Sequence, residues 1–114
     1  MCGVLQEHGV VLMTNSWEEL YSETVLPEAA SLNYLTLGLA SEVGEVATEV
    51  KKVIRNDNGL VTVERRLRII SEIGDVLWYA HGILTELNAT DYDALVVTSL
   101  KLHMRQRDKT LRER

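Results

Sequence analysis

An all-α fold is predicted for this 114-residue chain from three observations. Apolar residues recur every three or four positions over two long stretches, which is the helical period and not the alternation of a strand. The phrase Ser41-Glu42-Val43-Gly44-Glu45-Val46 returns thirty positions later as Ser71-Glu72-Ile73-Gly74-Asp75-Val76. Each copy sets two acids three residues apart, a spacing that puts both on one face of a helix. Between the copies, Asn56-Asp57-Asn58-Gly59 is the strongest turn signal in the chain, so the two helices fold back as an antiparallel hairpin.

The elements follow in order. Residues 1–14 read as an N-terminal arm with an extended piece over 9–13, and 15–114 as a single helical domain. Ser16-Trp17-Glu18-Glu19 is a capping box that starts a first helix running towards Val25. Pro27, the only proline, separates it from a second helix that begins between Glu28 and Ser31 and ends at Arg55. Leu32, Leu35, Leu39, Val43, Val46, Val50 and Val53 form its apolar stripe.

Thr62 is the predicted N-cap of a third helix over Val63 to Leu87, striped by Ile69, Ile73, Val76, Ala80, Ile83 and Leu87. A second apolar row at Leu67, Ile70, Leu77 and Leu84 marks this helix for burial on two sides. Asn88-Ala89-Thr90 breaks the pattern, and Thr90 or Asp91 caps a fourth helix with Tyr92, Leu95, Val96, Ser99 and Leu102 inward. The expectation is a four-helix bundle with a central hairpin. Two apolar sides on the third helix exceed what two flanking helices cover, which predicts a homodimer or homotetramer.

Composition sets the class. A chain that is 46% hydrophobic and 25% charged is ordinary for one soluble domain, and a net charge of −5 argues against binding a nucleic acid polymer. The charge is uneven: Lys101 to Arg114 carries +4, which leaves −9 for the rest. Cys2 stands alone, so neither an internal disulfide nor a thiolate metal site forms within one chain, as suits a reducing cytoplasm. No apolar stretch approaches the length that spans a membrane, and the opening residues lack the basic start of a signal peptide.

The repeated phrase carries the chemistry. Glu45 lies ten residues before the end of one helix and Glu72 ten after the cap of the next, so both motifs sit ~15 Å from the turn at helical rise. Glu42 then stands level with Asp75, and Glu45 with Glu72. Four converging carboxylates repel unless a cation sits among them, and Mg²⁺ (or Mn²⁺) is the occupant that oxygen ligands favour. Gly44 and Gly74 are read as letting the two backbones approach closely, since glycine inside a helix costs about 1 kcal/mol without a packing reason. Solvated surface acids are the alternative, but the positions one turn on hold Val46, Glu49, Val76 and Tyr79 and no basic residue.

Glu-x-x-Glu, a helical connection of 26 residues, then Glu-x-x-Asp is similar to the signature of the MazG-type all-α nucleoside triphosphate pyrophosphohydrolases. The resemblance covers roughly Trp17 to Arg107. It implies a MazG-like helical bundle that cleaves (deoxy)nucleoside triphosphates to the monophosphate and pyrophosphate with Mg²⁺, as nucleotide-pool housekeeping. It also implies that Glu42, Glu45, Glu72 and Asp75 hold the metal and that Glu42 or Glu45 activates water. Glu49 has two readings, a fifth ligand or a partner of Lys52. Lys101 and Arg105 are expected on the triphosphate, where many relatives carry Lys and Asn, and Tyr79, Trp17 and Asn33 around the base.

Trp78 is assigned to the core, and His81 and His103 to structural roles. Relatives that act on phosphoribosyl-ATP or dUTP share similar motifs and give a second enzyme reading. A non-catalytic helical interaction module is the reading from another class.

Overall fold

The computed structural model describes residues 16–112; the expected arm at 1–14 lies outside them. Among the described residues there are four α-helices and no strand: α1 (Trp17–Thr24), α2 (Leu32–Asn56), α3 (Val63–Glu86) and α4 (Asp91–Arg112). The all-α expectation holds. One detail differs: Pro27–Ala29 forms a separate 3₁₀ turn, so α2 starts late, with Ser31 as its N-cap.

Local chemistry explains each boundary. Ser16, Ser31 and Thr62 accept hydrogen bonds from the backbone N–H three residues on, at 3.1, 3.2 and 3.1 Å, and satisfy donors that a helix start leaves orphaned. Thr90 and Asp93 exchange such bonds reciprocally at the head of α4. The hairpin turn passes through Asn58 and Gly59, both at positive φ, where Asn and Gly carry the least strain.

The α2–α3 hairpin is the body of the protein, α1 lies across α3, and α4 makes only glancing contact with the other helices. The core is small. Tyr21, Leu35 and Val53 are its buried apolar residues, and α1 is tied down by the Trp78 indole N–H, which donates to Thr24 Oγ1 at 2.7 Å. The second apolar row on α3 stays exposed at Leu67, Ile70 and Leu77, as do Tyr92, Leu95 and Val96 on α4. The radius of gyration, 18.2 Å, exceeds the about 13 Å of a compact chain this long.

The glycines that matter are not the two in the acidic phrases. Around a Cβ built on Gly44 or Gly74 there is open space, so they do not bring the helices together as expected. A Cβ on Gly38 would collide with the Tyr79 ring, and one on Gly82 would lie 2.6 Å from the Tyr21 ring and 3.1 Å from Leu35. Gly38→Ala and Gly82→Ala are therefore expected to cost about 1–3 kcal/mol by overpacking. Gly44→Ala is expected to raise stability by up to about 1 kcal/mol through helix propensity, with denaturant unfolding as the measurement.

Candidate metal and nucleotide site

Hairpin register builds the site. Gly38 faces Tyr79 and Leu35 faces Gly82 across the α2–α3 seam, and the same pairing sets Glu42 of α2 against Glu72 and Asp75 of α3. These three each offer a carboxylate oxygen, all within 4.8 Å of one another. Glu42 and Glu72 are half-buried and Asp75 is exposed.

The electrostatics are those of crowded acids. Burial first, then the charges of Asp75, Glu72 and Glu45, push the Glu42 carboxyl above its ordinary value. Such a cluster gains from a cation, and an all-carboxylate donor set suits a hard one such as Mg²⁺ or Mn²⁺. Glu45 is exposed and outside the trio, yet close enough for its charge to act on Glu42.

Glu49 sits elsewhere. It is buried, accepts from Arg65 Nη1 at 2.7 Å and pairs with Lys52 at 3.4 Å. Arg65 also donates from Nε to Asp57 at 2.8 Å. The Glu49 carboxylate is thus committed to a buried ion network near the hairpin turn, and its pKa is lowered chiefly by the hydrogen bond from Arg65. Local sequence reasoning misses Arg65 because its partners lie eight and sixteen residues away; the hairpin brings it within one turn of the level of Glu49.

A cavity of about 340 Å³ adjoins the acids, lined by Leu20, Thr24, Glu42, Asp75, Trp78 and Tyr79. Tyr79 is raised by burial and then by Tyr34, Glu42 and Asp75, which places it in the electrostatic reach of the acids. Trp78 lines the same cavity, packs edge-on to Tyr79 at 5.0 Å between centroids, and is not the plain core residue expected. Its position three residues after Asp75, on the same helix face, was the available signal.

Trp17 lines a different cavity. Asn33 is exposed in the first turn of α2, about 13 Å of helix before Glu42. Lys101 and Arg105 are exposed on α4, which does not pack along the hairpin of its own chain.

Comparison with known families decides the assignment. The MazG nucleotide pyrophosphohydrolase domain matches residues 30–110, a span that contains the hairpin, the acid trio and most of α4. The chain belongs to the MazG family. It is also similar to the gene 37 protein of Mycobacterium phage L5, 42% identical over 57 residues, which is 50% of this chain and 50% of that protein. The chain therefore aligns with about half the length of that curated relative. No solved structure matches the chain. Among the described residues no helix is long and apolar enough to cross a membrane.

Proposed function

We propose that this MazG domain is a Mg²⁺-dependent nucleoside triphosphate pyrophosphohydrolase that releases the monophosphate and pyrophosphate, with deoxynucleoside triphosphates as substrates in nucleotide-pool housekeeping. The observation that carries the reading is the convergence of Glu42, Glu72 and Asp75 beside a cavity walled by Trp78 and Tyr79. Those three carboxylates would hold the cation. When bound, the metal supplies charge neutralisation at phosphate oxygens and a lowered pKa for bound water.

The chain's own residues divide the remaining work. Glu45, beside the trio and in solvent, orients the attacking water and accepts its proton at a carboxylate oxygen. Trp78 and Tyr79 offer an aromatic slot for the base. Lys101 and Arg105 bind the triphosphate. Because α4 stands off its own hairpin while its apolar residues remain exposed, a homo-oligomer in which a neighbouring copy presents α4 completes the site. Sedimentation should show a dimer or tetramer, and a strict monomer would remove that part of the reading.

The test is product analysis. The purified protein is incubated with each common (deoxy)nucleoside triphosphate, with and without Mg²⁺, and pyrophosphate is assayed against orthophosphate. Pyrophosphate with the monophosphate, only in Mg²⁺, is the expected result. Orthophosphate alone would overturn the bond assignment, and no turnover would leave a cation-binding helical module.

A further inference from the structure

The direction in which α4 leaves α3 is decided within a few residues. α3 closes on itself: the Leu87 N–H donates to the Ile83 and Leu84 carbonyls, and the Ala89 N–H to Leu84 O at 2.8 Å. α4 opens on the Thr90–Asp93 pair. Asn88, at positive φ, turns the chain between them. Each set of bonds finishes one helix, and neither fastens α4 to α3.

A side-chain bond does that. His81 Nδ1, near the end of α3, stands 2.8 Å from Oδ1 of Asp91, the first residue of α4. A carboxylate only accepts, so Nδ1 bears the proton whether the ring is charged or neutral. The two partners differ in freedom. His81 is 7% exposed, and its ring meets that of Tyr21 on α1 edge-on, with centroids 5.6 Å apart. Tyr21 in turn packs on Trp78 at 4.9 Å. The imidazole is therefore an anchor fixed in the core, and the Asp91 carboxylate, half exposed, is the group it holds. α4 makes only glancing contact with the other helices of its own chain, so this bond has little packing to help it.

The lever beyond it is long. Lys101 and Arg105 follow Asp91 by ten and fourteen residues, about 15 and 21 Å along α4 at helical rise. A swing of about 10° at the joint moves their backbone by roughly 3–4 Å. A charged hydrogen bond to phosphate is made only near about 2.8 Å, so a swing of that size breaks it.

We propose that His81 and Asp91 are a positioning pair, whose bond fixes the direction of α4 and, through it, where Lys101 and Arg105 meet the triphosphate. The functional half rests on the triphosphate role proposed for those two residues; the geometric half does not. An acid in the first turn of a helix also favours the helix dipole, so charge alone is the competing role for Asp91. Asp91→Asn separates the two, since its amide oxygen still accepts from Nδ1 while the charge is gone.

Spin labels on Lys51→Cys in α2 and Gln106→Cys in α4, in a Cys2→Ser background and diluted with unlabelled chain, read the separation of α4 from the hairpin by pulsed electron paramagnetic resonance. The labelled parent and its Asp91→Asn variant are expected to give the same narrow distance distribution. Asp91→Ala should shift or broaden it with circular dichroism unchanged. Kinetics on unlabelled protein give the second readout. KM for the triphosphate should rise at least about fivefold in Asp91→Ala, with kcat held within about twofold, and Asp91→Asn should restore it. In a background that carries Lys101→Ala and Arg105→Ala, Asp91→Ala should add little, because the pair acts through them. A parent-like distance distribution in Asp91→Ala, or Asp91→Asn behaving as Asp91→Ala does, would overturn the proposal. Full additivity with the Lys101 and Arg105 changes would overturn its functional half. A parent that turns over no triphosphate would instead sink the pyrophosphohydrolase reading, and the distances would decide the positioning pair by themselves.

Discussion

Asp75→Asn or Glu72→Gln is expected to lower Mg²⁺-dependent turnover by on the order of 10²-fold or more while helical content stays the same. Each change removes one anionic oxygen from a trio whose members lie within 4.8 Å of one another. A metal that neutralises developing charge is worth several kcal/mol in the transition state, and each 1.36 kcal/mol is tenfold in rate. Glu42→Gln should fall as far. Because the Glu42 carboxyl is held above its ordinary value by burial and by three neighbouring acids, that variant should not be less heat-stable than the parent in the absence of metal. Steady-state kinetics with circular dichroism on the same samples separates the two effects; a fully active variant at any of the three positions would take that residue out of the site.

Arg65→Ala is expected to be the most damaging single change to the fold, lowering the unfolding midpoint by on the order of 10 °C or more. Arg65 is 8% exposed and bridges Glu49 on α2 to Asp57 in the turn. Its loss leaves Glu49 with only the longer pair to Lys52, takes the ion pair from Asp57, and unpins the turn that sets the register of the acids. The triple change Glu49→Gln, Asp57→Asn, Arg65→Met, which removes the three most buried charges together and leaves only the more exposed Lys52, should recover most of the midpoint.

The same network fixes the response to acid. Hydrogen bonds from Arg65 are the main cause that lowers both Glu49 and Asp57 below their ordinary values. Folded-state values below unfolded ones give stability that is present above the ordinary carboxylate range and lost as pH falls through the folded-state values. Thermal unfolding across acid pH should therefore show a steep decline in the parent and a flatter one in Arg65→Ala. Equal slopes would mean that the network does not set the acid limb.

Much of this was legible because a helical hairpin obeys one register. The turn at Asn58-Gly59 and the helical rise suffice to bring Glu42 opposite Asp75, and that pairing recurs at Gly38 with Tyr79 and Leu35 with Gly82. Extended by the same rule, the register sets Glu49 opposite Arg68, and its actual partner Arg65 stands one turn nearer the hairpin turn, a pair that local i,i+4 reasoning cannot see. Gly44 and Gly74 misled because a glycine in a helix signals close approach without saying whose; the close approaches fall at Gly38 and Gly82. Trp78 shows the limit of periodicity, which gives a residue's face but not whether that face meets core or cavity. The position of α4 was illegible for a physical reason: its apolar row is as regular as that of α2, and regularity does not tell which chain will cover it.

The central claim is that one residue of α2 and two of α3 together hold a divalent cation. Titration with Mn²⁺, followed by the electron paramagnetic resonance of the free ion, tests it most directly. At least one ion should bind per chain in the parent and in Glu49→Gln, and binding should be lost in Asp75→Asn and Glu72→Gln. No bound ion in the parent, or binding that survives in Asp75→Asn and disappears in Glu49→Gln, would contradict it.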